Sequence, residues 1–212
     1  GVMKLTKFSH ACLRVERDGA VLVIDPGSFS ERAALDGVDA ILITHEHQDH
    51  LDVDAVGDAI GKRPNAKIYT NSSVAAQLAD LGSVVTTVES GESFSAAGFG
   101  VRAYGGWHAV IHPDLPPMPN LGYLLEGSVY HPGDSFDVPE GASVDTLFVP
   151  VTAPWLKAGE AIDFIRAVKP GRAYALHDAL GNDITFGLLN GLLNGLSGTQ
   201  YSRLAPGQTV DA

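Results

Sequence analysis

The segment ITHEHQDHL, residues 43–51, places His45, Glu46, His47, Asp49 and His50 within six consecutive positions. All of these groups resist losing water, so a folding core has no use for the cluster. On a chain leaving a strand, His45 and His47 stand two apart and share one side. Asp49 and His50 follow in the next turn and face a neighbouring point. That pattern suits two divalent ions, the first on His45 and His47, the second on Asp49 and His50. Neutral imidazole and carboxylate oxygen favour Zn²⁺ and also accept Mn²⁺ or Fe²⁺. Glu46, between two ligands, is expected to point away.

Each ion needs more ligands, and three residues far along the chain offer them. His108 follows a strand in YGGWHAVIH, Asp134 follows another in YHPGDSF, and His177 ends the strand of RAYALHD. One sheet rim therefore gathers them with His45. His112 competes with His108; otherwise it is a surface or core residue, or contacts substrate from the pocket wall. His131, before Pro132, reads as a hydrogen-bonded structural histidine, and Cys12 as a small buried hydrophobe. Asp178 either fixes the tautomer of an imidazole or caps a helix. Trp107 and Trp155 are candidate aromatic walls for an organic substrate. Lys157 is either a partner for a substrate carboxylate or phosphate, or a plain surface lysine.

These residues carry a family resemblance. THEHQDH (44–50) resembles the H-x-H-x-D-H signature of the metallo-β-lactamase fold, and His108, Gly133-Asp134 and His177 follow in that family's order. VLVIDPG (21–27) resembles its early structural motif. The start FSHAC resembles small members without inserts, which include L-ascorbate-6-phosphate lactonase-like and other uncharacterised hydrolases. The resemblance runs over nearly the whole chain. It implies an α+β fold, an αββα sandwich of two mixed sheets flanked by helices, with a binuclear centre on one edge. By the same resemblance His45, His47 and His108 hold the first metal, Asp49, His50 and His177 the second, and Asp134 bridges both. Position 47 is histidine where the oxygen-reducing di-iron branch has glutamate, and position 50 is histidine rather than arginine. His10 lies near the metals in the resembling subgroup, which leaves it a substrate or ligand neighbour or a structural residue. Asp25 is expected to brace the histidine loop through backbone hydrogen bonds. The implied chemistry is hydrolysis: a hydroxide shared by two ions attacks a lactone, ester, amide or phosphodiester, with Asp49 and Asp134 as catalytic carboxylates.

The elements that must position these groups are legible in outline. Residues 3–8, 12–16, 20–24 and 39–44 read as strands, then Asp52 caps a helix reaching about Lys62. Residues 67–70 read as a strand and 72–81 as a helix capped by Ser72. Short strands punctuated by glycine fill 84–126, interrupted by a loop over 109–120 whose four prolines (113, 116, 117 and 119) forbid regular structure. The loop is a candidate pocket rim. Strands at 128–131, 145–150 and 172–176 surround a helix at 159–168, and GLLNGLLNGL (187–196) reads as a glycine-weakened helix. No linker divides the chain, so one domain over 1–212 is expected.

Bulk composition narrows the function classes. The 212 residues are 45% hydrophobic and carry a net charge of −11, with no Lys/Arg run. A nucleic-acid binder needs a basic face, so a small-molecule partner is expected, with phosphodiester cleavage of nucleic acid as the alternative within this fold. A non-catalytic metal-binding protein is the alternative from another class. One cysteine and the absence of a basic-then-apolar leader point to the cytoplasm, and no apolar run is long enough for a membrane. Gly1 and Val2 ahead of Met3 resemble an expression remnant. The apolar stretch 184–196 either joins copies into a homo-oligomer or completes the core.

Overall fold

The computed structural model describes all of residues 1–212. Strands β1 (Lys4–Lys7), β2 (Leu13–Arg17) and β3 (Ala20–Ile24) form an antiparallel meander. Strands β4 (Ala40–Leu42), β5 (Lys67–Thr70) and β6 (Val85–Thr87) then add in parallel, with α1 (Val53–Lys62) and α2 (Ser72–Gln77) in the connections. The second half repeats this plan. Strands β7 (Ser93–Ala96), β8 (Phe99–Trp107), β9 (Pro119–Leu125) and β10 (Val129–His131) run antiparallel. Strands β11 (Thr146–Pro150), β12 (Arg172–Leu176) and β13 (Tyr201–Ser202) follow in parallel, joined through α3 (Ala158–Val168) and α4 (Asp183–Leu196). The last strand, β14 (Gln208–Asp211), crosses back to pair with β1.

The result is two seven-stranded sheets stacked face to face, with helices outside both. The parallel strands are apolar on both faces because both are covered. Leu22, Ile24 and Leu42 point into a 22-residue core between the sheets, while Val21, Val23 and Ile41 pack beneath Val56 and Ile60 of α1. Residues of both sheets, such as Leu13 and Tyr123, belong to that one inter-sheet core. This is the αββα sandwich expected. No helix is long and apolar enough to cross a membrane.

Four local readings need correction. Asn71, not Ser72, caps α2, its side chain accepting from Val74 N at 2.9 Å. The helix read over 72–81 stops at Gln77, and a 3₁₀ stretch from Ala79 to Val84 follows, broken at Gly82 with φ 66°. Pro119 does not interrupt regular structure: it opens β9 opposite Trp107, a place where a missing N–H is tolerated. Helix α4 begins at Asp183, capped by Asn182, and the strands β13 and β14 carried too little apolar pattern to be read.

The histidine loop rests on a close approach. Ser28 N donates to Gln48 O at 2.8 Å and Asp52 N to Pro26 O at 3.0 Å, so the loops after β3 and β4 nest. A Cβ at Gly27 would collide with the Asp49 carbonyl. Gly27→Ala is therefore expected to destabilise by on the order of 3 kcal/mol, roughly 6–12 °C in Tm for a chain of this size. Thermal unfolding of the variant checks it; an unchanged Tm contradicts the nesting.

Candidate metal centre

Six segments reach one rim of the sandwich at the C-terminal ends of β1, β3, β4, β8, β10 and β12. In parallel sheets this is the edge where loops diverge and ligands bind. The segments carry His10, Asp25, residues 45–50, His108, Asp134 and His177. Three of these residues adopt left-handed backbone, His10 (φ 70°), Asp25 (φ 55°) and His177 (φ 58°). Such strain in non-glycine residues persists only where surroundings impose it.

The rim gathers two groups of side chains. In His45, His47, His108 and Asp134 one ligand atom of each lies within 4.8 Å of the others, and the same holds for His10, Asp49, His50 and His177. Asp134 also reaches into the second group. Its Oδ1 is 3.0 Å from His50 Nε2, and its Oδ2 is 3.2 Å from His177 Nε2 and 3.1 Å from His108 Nε2. Thus all seven positions named for the metals converge.

The histidines are held by their other nitrogen. His108 Nδ1 donates to Ala109 O at 2.6 Å, His177 Nδ1 to Thr152 O at 2.6 Å, and His50 Nδ1 to Asp25 Oδ2 at 2.6 Å. Thr44 Oγ1 donates to Asp25 Oδ2 at 2.7 Å and so accepts from His45 Nδ1 at 2.9 Å. Each bond fixes a tautomer whose Nε2 lone pair faces the centre. Lone pairs then oppose carboxylate oxygens at about 3 Å, acceptor against acceptor, a contact that only a shared cation relieves. Accordingly His45 Nε2, His50 Nε2, His177 Nε2 and Asp134 Oδ1 are buried without a hydrogen-bond partner. The donor set fits divalent metal.

Titration in the absence of metal tells the same story, with protons standing in for ions. Burial disfavours the His50 cation, yet the Asp134 and Asp25 charges raise it well above the usual range. Burial likewise opposes His177, but the carboxylates of Asp134 and Asp49, 3.2 and 3.3 Å from its Nε2, favour a proton there and raise it to about 9. His45 is driven well below the usual value by burial and by His50. Asp134 lies well below the carboxylate range: burial pushes up, and the imidazoles at 50 and 45 pull down harder.

His10 and Asp25 support the ligands in different ways. His10 Nδ1 accepts from Ala179 N at 3.2 Å, which leaves the hydrogen on Nε2, 2.8 Å from Asp49 Oδ2. It is fully buried, and burial lowers its pKa, so it is a neutral donor that orients Asp49. Asp25 accepts from Thr44 N at 2.8 Å as well as from Thr44 Oγ1 and His50 Nδ1, so both its oxygens are engaged in bracing. Asp178 neither fixes the His177 tautomer nor caps a helix. It holds the buried Lys7 at 3.1 Å, Arg203 at 2.9 Å and the His10 N–H at 3.1 Å. Glu46 points away, to Ser73 at 2.8 Å and to Gln77. His131 is structural, its Nε2 on Ala11 O at 2.9 Å.

Around the centre, Trp155 packs edge-on to His108 and His177, at ring distances of 5.8 and 6.2 Å, and lines the mouth. Trp107 and His112 are exposed and line an adjoining cavity formed by the proline-rich loop. Lys157 lines neither; it is a surface residue preceding α3. Thr44 and Thr152 were missed. Thr44 stood next to the cluster and its hydroxyl was a readable signal. Thr152 holds the His177 ring through its carbonyl, which any residue supplies, while its hydroxyl donates to His177 O; it lies far from the cluster in sequence.

The comparisons agree with this geometry. The family model for the beta-lactamase superfamily domain matches residues 4–177. Protein Rv0786c of Mycobacterium tuberculosis is 40% identical over 208 residues, covering 95% of this chain and 96% of that one. A UPF0173 metal-dependent hydrolase of Flavobacterium johnsoniae is 30% identical, covering 70% and 72% of the two chains. Igni18, a metallo hydrolase from Ignicoccus hospitalis, superposes with a TM-score of 0.76 at 22% identity, over 100% of this chain and 99% of that one. The fold is the metallo-β-lactamase sandwich, and the chain belongs to the beta-lactamase superfamily.

Two outcomes are expected from the bracing. Asp25→Ala should weaken metal affinity by roughly 10–100-fold, the usual cost of losing such a brace, read by competition with a chromogenic chelator. Because His177, at about 9, holds its proton at pH 7, metal loading should expel it, and affinity should fall as pH drops. Titration heats that do not vary with the buffer's ionisation enthalpy would refute the second.

Proposed function

We propose that this chain is a metal-dependent hydrolase of small molecules, using two divalent ions at the rim. The observation that carries the reading is the set of buried Nε2 lone pairs facing carboxylate oxygens, an arrangement that calls for cations. His45, His47 and His108 would hold one ion, Asp49, His50 and His177 the other, with Asp134 between them. Imidazole and carboxylate ligands favour Zn²⁺, with Mn²⁺ or Fe²⁺ as alternatives. Ions bound there would supply Lewis acidity and lower the pKa of water toward neutrality.

The chain's own groups divide the remaining work. Asp134 is nearly fully buried and touches imidazoles of both groups, which suits a fixed bridge. Asp49 is partly exposed, at 18%, and lines the mouth. Held from behind by the His10 Nε2–H and, against the opposing effect of burial, kept far below the usual carboxylate range by that bond and by His177, it presents a permanently ionised carboxylate that orients water. Trp155 and the neighbouring loops limit water at the mouth, and a carbonyl or phosphoryl group entering there meets Asp49 and the imidazoles first. The relatives described as metal-dependent hydrolases support the same class of reaction. Bond type stays within lactone, ester, amide or phosphodiester, and the lactonase-like resemblance makes lactones the first to try. The net charge of −11 supports a small-molecule substrate over nucleic acid.

Asp134→Ala is expected to lower bound metal below two ions per chain and hydrolysis by at least 100-fold, measured by elemental analysis and a lactone and phosphodiester panel. Retention of both would refute the bridge. Chelation of the wild-type protein should abolish turnover while the sandwich still unfolds cooperatively; turnover that survives complete metal removal would refute the enzyme reading.

A further inference from the structure

The wall next to the centre has a chemical character that the hydrolase reading does not specify. Beside His47 and His108, residues 107–118 fold over a cavity of about 650 Å³. Its wall includes Trp107, Val110, Ile111, Leu115, Pro117 and Met118. Trp107 is 61% exposed, Val110 74% and Leu115 54%, a concentration of apolar surface that this chain itself does not cover. The cavity shares His47, His108 and Ile111 with the mouth of the centre, a further space of about 330 Å³, where Phe29 and Leu180 add apolar surface. Across both, the only charged side chains other than histidines are Asp49 and Asp134, and neither space has a lysine or arginine.

The loop is also preset. His108 N donates to Met118 O at 2.8 Å and Ala109 N to Asp134 O at 2.8 Å, closing the loop's base onto the centre. Prolines 113, 116 and 117 restrict the span between. An apolar group thus enters a formed cavity with little ordering cost.

We infer that the substrates are neutral molecules whose cleaved bond carries a bulky alkyl or aryl substituent, and that this substituent occupies the cavity under loop 107–118. A terminal phosphate or other charged group away from the cleaved bond is disfavoured, because neither space has a lysine or arginine to receive it. The inference rests on the hydrolase reading for its reacting bond, but not for its binding site.

The test separates the two. With metal-loaded protein, γ-lactones bearing alkyl chains of increasing length are compared in kcat/KM with the same lactones ending in a phosphate. Binding of the matching 2-alkyl tetrahydrofurans, which cannot be hydrolysed, is followed by fluorescence of Trp107 in Trp155→Phe protein, the chain having two tryptophans. Affinity and kcat/KM should rise roughly threefold per methylene over the first several, and the terminal phosphate should cost at least 30-fold. Leu115→Glu, at a half-exposed wall position, should flatten the dependence on chain length without loss of bound metal. Ether binding that grows with chain length but no lactone turnover would sink the hydrolase reading and leave the cavity assignment standing. Turnover indifferent to chain length, or preference for the phosphorylated lactones, would overturn the inference and leave the hydrolase standing. No ether binding would also overturn it.

Discussion

Everything at the rim follows from where the Nδ1 hydrogens go. Carbonyls of Ala109 and Thr152, the Asp25 carboxylate and the Thr44 hydroxyl engage four imidazoles by that nitrogen. Each ring is thereby locked in orientation and tautomer, with its basic nitrogen turned inward. Once that is fixed, the interior of the centre holds lone pairs and carboxylates and almost no hydrogen. A buried collection of acceptors is unfavourable by itself. It is stable only with positive charge inside, and the raised titration of His50 and His177 shows protons filling that role.

The sandwich brings those rings together through strand direction. Each half is an antiparallel meander followed by parallel strands, so β3, β4, β10 and β12 all end at the rim. The halves even match at their first loops: IDPG leaves β3 with the bracing Asp25, and HPGD leaves β10 with the central Asp134. Gly133, in left-handed backbone, lies so close that a Cβ would strike Asn120 and Thr44, which seats Asp134 beside the histidine loop. The strained φ at His10, Asp25 and His177 belongs to the same economy of space, since each turns the chain abruptly at a strand end.

How much of this a sequence can express varies by element. Apolar runs such as VLVID and DAILIT named the central strands because those strands are buried on both faces. The edge strands β13 and β14 went unread, since Tyr201–Ser202 and Gln208–Asp211 are short and half polar, and tertiary pairing alone makes them strands. The candidate ligands were legible because chemistry restricts them to few residue types. Their braces divide by atom: Asp25 uses its side chain and could be foreseen, whereas Ala109 uses a backbone carbonyl that leaves no mark, and Thr152 combines a carbonyl with a hydroxyl on the His177 carbonyl. His10 was open between two roles in the sequence, and one hydrogen bond from Ala179 N decides for the neutral donor. Lys157 was open in the same way, and the structure gives the plain surface lysine. Its neighbour Trp155 reaches the mouth, but the turn into α3 sends the lysine outward.

Charge at the rim and character of the walls are connected. Two divalent ions at the proposed sites would bring +4 against −3 from Asp25, Asp49 and Asp134, a remainder of +1 with the imidazoles neutral. A centre so nearly balanced needs no counter-charge from the walls, which are then free to be apolar, and apolar walls strengthen every electrostatic contact inside them. By the same count the site would be a poor host for a phosphate dianion, because one residual charge does not compensate two and no lysine or arginine lines either space. The bracing that turns the imidazoles inward and the loop that lines the adjoining cavity with Trp107, Ile111 and Leu115 are therefore parts of one arrangement, in which bound metals would carry the charge and the chain supplies an apolar, shaped approach to them.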